Sequence, residues 1–436
     1  ADSKGGRGPI VWPPKTSMVT LLLLLPMLAM LVVSSTMSTS GVQIPIHTSI
    51  AHLHEHQKAY YTFWLPWSDN KWYNPDALAS VIGFTFYFDN TTVQIDKDHD
   101  GVFDVEIHGN AGERMSWGFV SGRGGEFPPV GALIRSNKPI SVAYTFWSSD
   151  YGIYEDSCYT YSLVPSPILG NDYFICSNST LASILSIADN NTVYIDENND
   201  GSPEYSIPLA CGENYIYYNT RAGAHVYSDK SIAVVIANWE PGFDSATYAY
   251  EVYPVNMLSQ EYWVPYPNPI TNLYKDAINK TVIIVVGVYE GTVVNIDEDQ
   301  DDVPELSLTL GRGSCRIYAN PKVGAHIFGN KPFYALYLFD VYARDPWADV
   351  YRDYMHSYLL PPSSISGRVF LAPDRAEDCR ALTCMNVFIL EDDTVIYVDR
   401  ASDGTIDEEF RGNKGDIIRI VGLCCLLYTS DAADDG

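Results

Sequence analysis

A nine-residue acidic segment returns at nearly constant spacing, and that spacing constrains the fold more than any local pattern. The first copy is Asp96-Lys97-Asp98-His99-Asp100-Gly101-Val102-Phe103-Asp104. The second runs Asp196-Glu197-Asn198-Asn199-Asp200-Gly201-Ser202-Pro203-Glu204, and the third Asp297-Glu298-Asp299-Gln300-Asp301-Asp302-Val303-Pro304-Glu305. A weaker copy starts at Asp399. The leading Asp residues lie 100, 101 and 102 positions apart, so the segment belongs to an internal repeat and not to an isolated motif. Other landmarks keep step. Gly112, Gly212, Gly313 and Gly415 each follow a leading Asp by 16 residues. Gly131-Ala132, Gly223-Ala224 and Gly324-Ala325 come next, each with a lysine seven residues after its Gly: Lys138, Lys230 and Lys331.

Each repeat reads as strands. Thr92–Ile95, Thr192–Ile195 and Thr292–Ile296 run β-branched into the acidic loop, and Val105–Ile107 or Tyr205–Ile207 leaves it, so the loop is expected at a hairpin tip. Further short apolar runs, such as Ile140–Tyr144 and Ile232–Ile236, are separated by turn residues, giving seven or eight strands per repeat. The 32 Tyr residues fit strands better than helices. The expected fold is all-β, a tandem of β-sandwich repeats of about 100 residues. A β-propeller with two blades per repeat is the alternative. The expected divisions are 42–150, 151–242, 243–345 and a truncated fourth repeat at 346–424. Segments rich in Tyr, Asp and Trp (147–161, 239–253, 340–358) read as packed junctions between repeats.

Oxygen ligands at loop positions 1, 3, 5 and 9, a backbone carbonyl at 7 and a turn residue at 6 are what Ca2+ takes from a short loop. The expected ligands are Asp96, Asp98, Asp100, Val102 and Asp104 in the first loop. They are Asp196, Asn198, Asp200, Ser202 and Glu204 in the second, and Asp297, Asp299, Asp301, Val303 and Glu305 in the third. Position 3 of the fourth loop is Ala401, leaving Asp399, Asp403 and Asp407. Ile107 and Ile207 occupy position 12, where an EF-hand places its bidentate Glu, so a helix-loop-helix site is excluded. The loops resemble the calcium hairpins of integrin propellers instead. Without an ion the same segments would be solvated acidic turns. With one, folding should be linked to calcium, because crowded carboxylates repel until a cation offsets them.

The net charge of −27 argues against a nucleic-acid partner. Val19–Val33 is apolar and followed by small residues, the form of a secretory signal over 18–41; residues 1–17 then read as upstream translation. Residues 425–436 resemble a translated sequencing adaptor, which would make the natural chain longer. Membrane attachment would need an uncleaved N-terminal segment or a missing C-terminal anchor. Eight Cys residues in an exported chain favour disulfides, with Cys176 and Cys211, and Cys379 and Cys384, as candidate pairs; a zinc site lacks the spacing. His52, His54 and His56 alternate and would share one strand face, as a transition-metal site or a plain surface strand. Asn90, Asn178, Asn190 and Asn279 head glycosylation sequons. No nucleophile elbow, metalloprotease helix or phosphate loop occurs, which argues against an enzyme.

The assembled repeat carries a family resemblance. Asp189-Asn190-Asn191-Thr192-Val193-Tyr194-Ile195, then Gly212-Glu213, then Gly223-Ala224-His225-Val226-Tyr227-Ser228-Asp229-Lys230-Ser231-Ile232 resembles the N-terminal domain of IgGFc-binding protein and its microbial surface relatives. The acidic loops are additional to that pattern. The resemblance implies a secreted or cell-surface protein with an adhesive or structural role and an extracellular protein or glycan as partner, self-assembly included. A glycan-binding module or glycan-active enzyme is the alternative function.

Overall fold

The computed structural model describes residues 61–68, 77–121, 124–149, 156–238, 248–264, 278–344, 351–361, 369–371, 384–399, 406–421 and 426–430. The chain divides into Ala1–Lys58, which lies outside the described residues, and Ala59–Gly436. Apart from two short 3₁₀ turns, Ser166–Ile168 and Val255–Met257, the described elements are all strands. The first repeat contains β1 (Tyr61–Trp64), β2 (Ala77–Phe86), β3 (Thr91–Asp96), β4 (Val105–Gly109), β5 (Arg114–Val120), β6 (Leu133–Ser136), β7 (Ile140–Ser149) and β8 (Asp156–Ser162). The second contains β9 (Asp172–Phe174), β10 (Leu181–Ser186), β11 (Asn191–Asp196), β12 (Tyr205–Leu209), β13 (Asn214–Tyr218), β14 (His225–Ser228), β15 (Ile232–Asn238) and β16 (Tyr248–Glu251). The third contains β17 (Glu261–Trp263), β18 (Ile278–Gly287), β19 (Thr292–Asp297), β20 (Leu306–Leu310), β21 (Cys315–Ala319), β22 (His326–Gly329), β23 (Phe333–Arg344) and β24 (Tyr351–Leu359). The fourth shows β25 (Val369–Leu371), β26 (Cys384–Phe388), β27 (Thr394–Asp399), β28 (Glu408–Gly412), β29 (Ile417–Val421) and β30 (Leu426–Ser430).

Two antiparallel four-stranded sheets make each complete repeat. Their orders are β1-β6-β3-β4 with β5-β2-β7-β8, then β9-β14-β11-β12 with β13-β10-β15-β16, then β17-β22-β19-β20 with β21-β18-β23-β24. Strands consecutive in sequence keep switching sheets, which is the interleaving of a sandwich; a propeller blade would be a meander. One core lies between the two sheets. In the third repeat Val294, Ile296 and Ile327 from one sheet pack with Ile283, Val285, Phe333 and Ala335 from the other. A tyrosine hydroxyl also crosses the gap: Tyr173 donates to the Ile232 carbonyl, and Tyr262 to the Phe333 carbonyl, both at 2.6 Å. The segments expected to be junctions hold hairpin strands, since β7 pairs with β8 and β23 with β24, and β16 of the second repeat lies against both β8 and β24.

Burial of the second sheet shows how neighbouring repeats join. On β10 and β15, Ala182, Ile184, Val234 and Ile236 face their own core. The alternate residues Leu181, Val235 and Ala237 pack with Leu65, Trp67 and Leu163 of the first repeat. The third repeat does the same, with Ile284, Val286, Tyr334 and Leu336 turned toward the second. Strands buried on both faces need apolar residues at every position, which is why Ile232–Ile236 and Val282–Val286 are unbroken runs. In the first repeat the outward residues of β2 and β7 are Val81, Gly83, Thr85, Ser141, Ala143 and Thr145, a face of small and polar side chains.

Candidate functional site

The acidic loops cap the hairpins β3–β4, β11–β12 and β19–β20, as expected. Each leading Asp ends its strand and is buried: Asp96 at 2%, Asp196 at 1% and Asp297 at 1% exposure. Their carboxylates accept N–H bonds from the turning backbone. Asp96 takes those of His99 (2.7 Å) and Gly101 (3.1 Å), Asp196 those of Asp200 (3.2 Å) and Gly201 (2.9 Å), and Asp297 those of Gln300 (2.7 Å) and Asp302 (3.0 Å). Position 5 accepts from the N–H of position 7: Asp100 from Val102 at 2.7 Å, Asp200 from Ser202 at 2.8 Å, Asp301 from Val303 at 2.9 Å. Position 9 closes the loop onto the N–H of position 2: Asp104 to Lys97 at 2.8 Å, Glu204 to Glu197 at 2.7 Å, Glu305 to Glu298 at 2.6 Å. Positions 4 and 6 are left-handed in all three loops. Asp302 adopts φ 67° where the other two have Gly, a conformation Asp tolerates through local hydrogen bonding.

This scaffold gathers carboxylates. One oxygen each from Asp96, Asp98 and Asp104 lies within 4.8 Å of the others, and so does one each from Asp297, Asp299 and Glu305. In the second loop Asn198 stands at position 3; its amide donates to Glu204 at 2.9 Å, while its oxygen accepts from the Asp200 N–H at 2.8 Å. Positions 1, 3 and 9 therefore converge, and position 5 turns to hold the backbone. In the fourth loop Asp399 is buried and the Asp407 N–H bonds the Val398 carbonyl at 2.8 Å, whereas Ala401 and Asp403 lie outside the described residues. Nearby lysines offset part of the charge. Lys97 Nζ sits 2.9 Å from Glu126 and 3.7 Å from Asp104, and Lys322 Nζ 2.8 Å from Glu298. The Glu126 hydrogen bond raises the Lys97 pKa, and Glu298 does the same for Lys322.

Position 4 was not marked by the sequence pattern, yet it ties the loop to the next repeat. His99 bonds the carbonyl of Gly131 in its own repeat, and Asn199 and Gln300 donate to those of Gly223 (2.6 Å) and Gly324 (3.0 Å). The other side of each side chain meets a glycine of the following repeat. A Cβ on Gly212 would stand 1.8 Å from the His99 ring, one on Gly313 2.2 Å from Asn199, and one on Gly415 1.9 Å from Gln300. Gly131 and Gly223 also lie against the carbonyls of Gly212 and Gly313. The three repeated landmarks, acidic loop, Gly at 16 and Gly-Ala pair, thus meet at one place on each junction. The lysine landmark is local: Lys230 and Lys331 bond the carbonyls of Asp189 (2.5 Å) and Glu290 (2.6 Å). The shared property of His, Asn and Gln, a planar side chain with an N–H donor, is the signal available for position 4.

Cations back the later junctions. Arg312 lies over Phe174 at 5.2 Å and bonds His225 at 3.0 Å, and Lys414 lies over Trp263 at 5.5 Å. Asn90, Asn178 and Asn190 are exposed, as glycosylation would require. The candidate signal segment, the His52, His54 and His56 set, Cys379 and the Asn279 side chain lie outside the described residues, as does the adaptor-like terminus apart from the backbone of Leu426–Ser430, which pairs as β30 with β25 and β27. Cys176 and Cys211 fall in different core clusters and are not brought together. Among the described residues no helix is long and apolar enough to cross a membrane.

Residues 159–345 match the family model for IgGFc binding protein, a stretch that runs from within β8 through β23 and holds the second and third acidic loops. That family is not an enzyme family. No curated protein matches the chain, and no solved structure does.

Proposed function

We propose that this chain is an extracellular or cell-surface adhesive or structural protein whose acidic hairpin loops bind Ca2+ and so stiffen a row of β-sandwiches. The family match supports an extracellular or cell-surface, β-rich protein that binds extracellular protein partners. The observation that carries the rest is position 4: one residue of the acidic loop fixes both the loop and the junction to the next repeat. A cation held by positions 1, 3 and 9 would offset the repulsion of the converging carboxylates and hold the loop in the conformation that seats position 4. Each oxygen bonded to an N–H retains a lone pair for the ion. Water and the position 7 carbonyls of Val102, Ser202 and Val303 would complete the six to eight ligands that Ca2+ takes.

Calcium titration calorimetry of the purified chain tests this. Sites with dissociation constants on the order of 10⁻⁴ to 10⁻³ M are expected, the range of extracellular modules. Absence of a calcium-specific heat at millimolar ion would overturn the calcium part of the reading.

A further inference from the structure

We propose that Cys176 and Cys315 form a disulfide that ties the second repeat to the third. Both are free thiols in the structure, and both belong to the core that the second repeat shares with β18 and β23. Cys176 follows Ile175, whose carbonyl accepts the Gly223 N–H at 2.7 Å, and the Cys315 sulfur lies 3.3 Å from where a Cβ on that same Gly223 would stand. The backbone just before Cys176 and the Cys315 thiol therefore meet at one glycine of the junction.

The preceding junction shows what these two positions do. Leu65, Ile175 and Val264 occupy equivalent places, bonding the carbonyls of Ala132, Ala224 and Ala325, so Pro66 corresponds to Cys176. Asn214 pairs with Leu185 as Cys315 pairs with Val286, so Asn214 corresponds to Cys315. Between the first and second repeats these positions are latched through Ser183, whose hydroxyl donates to the Pro66 carbonyl at 2.6 Å and accepts from the Asn214 amide at 3.0 Å. Ile284 takes the place of Ser183 at the next junction and can make neither bond. The polar latch is lost there, and two thiols stand at its ends. Burial pushes the Cys176 thiol well up, with a smaller contribution from Cys315, and pushes Cys315 up to about 11. Neither is a ready thiolate in the folded chain, so the bond closes during folding.

Closure removes one proton from each thiol and two electrons from the pair. A small-molecule disulfide such as oxidised glutathione takes both, its S–S bond breaking to two thiols as the protein S–S bond forms through a mixed disulfide. An extracellular setting would supply such an oxidant, and to that extent the inference rests on the proposed location. The test is made independent of it. The full chain is reduced, unfolded and refolded in a glutathione redox buffer. It is then alkylated under denaturing conditions and digested without reductant. A linked peptide pair containing Cys176 and Cys315 is expected, together with a melting temperature that falls on reduction in the wild type and not in Cys315→Ser. Alkylated Cys176, Cys176 linked to another cysteine, or a wild-type melt unchanged by reductant would overturn the proposal. Closure in the buffer, set beside reduced thiols in the chain isolated from cells, would support the pair and count against the extracellular location.

Discussion

Gly313 and Gly201 are both left-handed, with φ 70° and 87°, but they differ in surroundings. A Cβ at Gly201 meets nothing within 4 Å, whereas at Gly313 it would collide with Asn199 and with the Gly223 carbonyl at 2.8 Å. Gly201→Ala is expected to cost only the left-handed term, about 1–2 kcal/mol. Gly313→Ala should cost clearly more and broaden the unfolding transition, because it separates two repeats; urea denaturation compares them. Glu251 makes the second test at this scale. It is 6% exposed at the first junction, its Oε2 accepts the Val164 N–H at 2.6 Å, and its Oε1 has no partner. Burial among Tyr161, Tyr173 and Tyr253 raises its pKa well above the ordinary carboxyl range. The folded chain thus holds a proton that the unfolded chain releases. The contribution of that proton to stability is full below the unfolded pKa, roughly 4.3, and is lost as pH rises toward the folded value. Glu251→Gln, which mimics the protonated acid, should match the wild type near pH 4 and become progressively more stable than it toward pH 8. A stability difference that does not grow with pH would contradict this assignment.

The hairpin loop is the element where scaffold and ion ligand separate. Asp297 accepts two backbone N–H bonds while buried, but the position 3 carboxylate of Asp299 accepts none of the loop's N–H bonds. Asp299→Asn is therefore expected to leave the calcium-free melt within about 0.5 kcal/mol of the wild type and to weaken calcium binding at that loop. Asp297→Ala should destabilise the chain with or without calcium, by about 1–3 kcal/mol for each buried N–H left unsatisfied. Titration and melting of both variants, with and without the ion, separate the two roles. Much of this element was legible in the sequence. β-branched runs on either side of an acidic turn specify a hairpin, and Ile107 at position 12 excludes the helical alternative. The turning of Asp100, Asp200 and Asp301 toward backbone N–H groups was not legible, because an Asp at position 5 serves an ion or an Asx turn equally well.

Across the whole molecule, the sheet that faces the preceding repeat decides how the sandwiches couple. Ile284 and Leu336 are buried there against the second repeat. Ile284→Ala should cost about 2–5 kcal/mol and loosen that junction while leaving the core of the third repeat intact, which hydrogen exchange on β19 and β22 can follow. The sandwich was legible from strand count, while its choice over a propeller needed the strand order, which periodicity does not carry. The junction was hidden for a physical reason. His99, Asn199 and Gln300 differ in type, and their glycine partners lie in the next repeat, more than 100 residues further on. Scanning calorimetry of the full chain in millimolar calcium against the same buffer with chelator tests the central claim most directly. At 1 mM ion and dissociation constants near 10⁻⁴ M, each loop adds roughly 1.4 kcal/mol, so the melt with calcium should lie several degrees higher. Superimposable melts in the two buffers would contradict it.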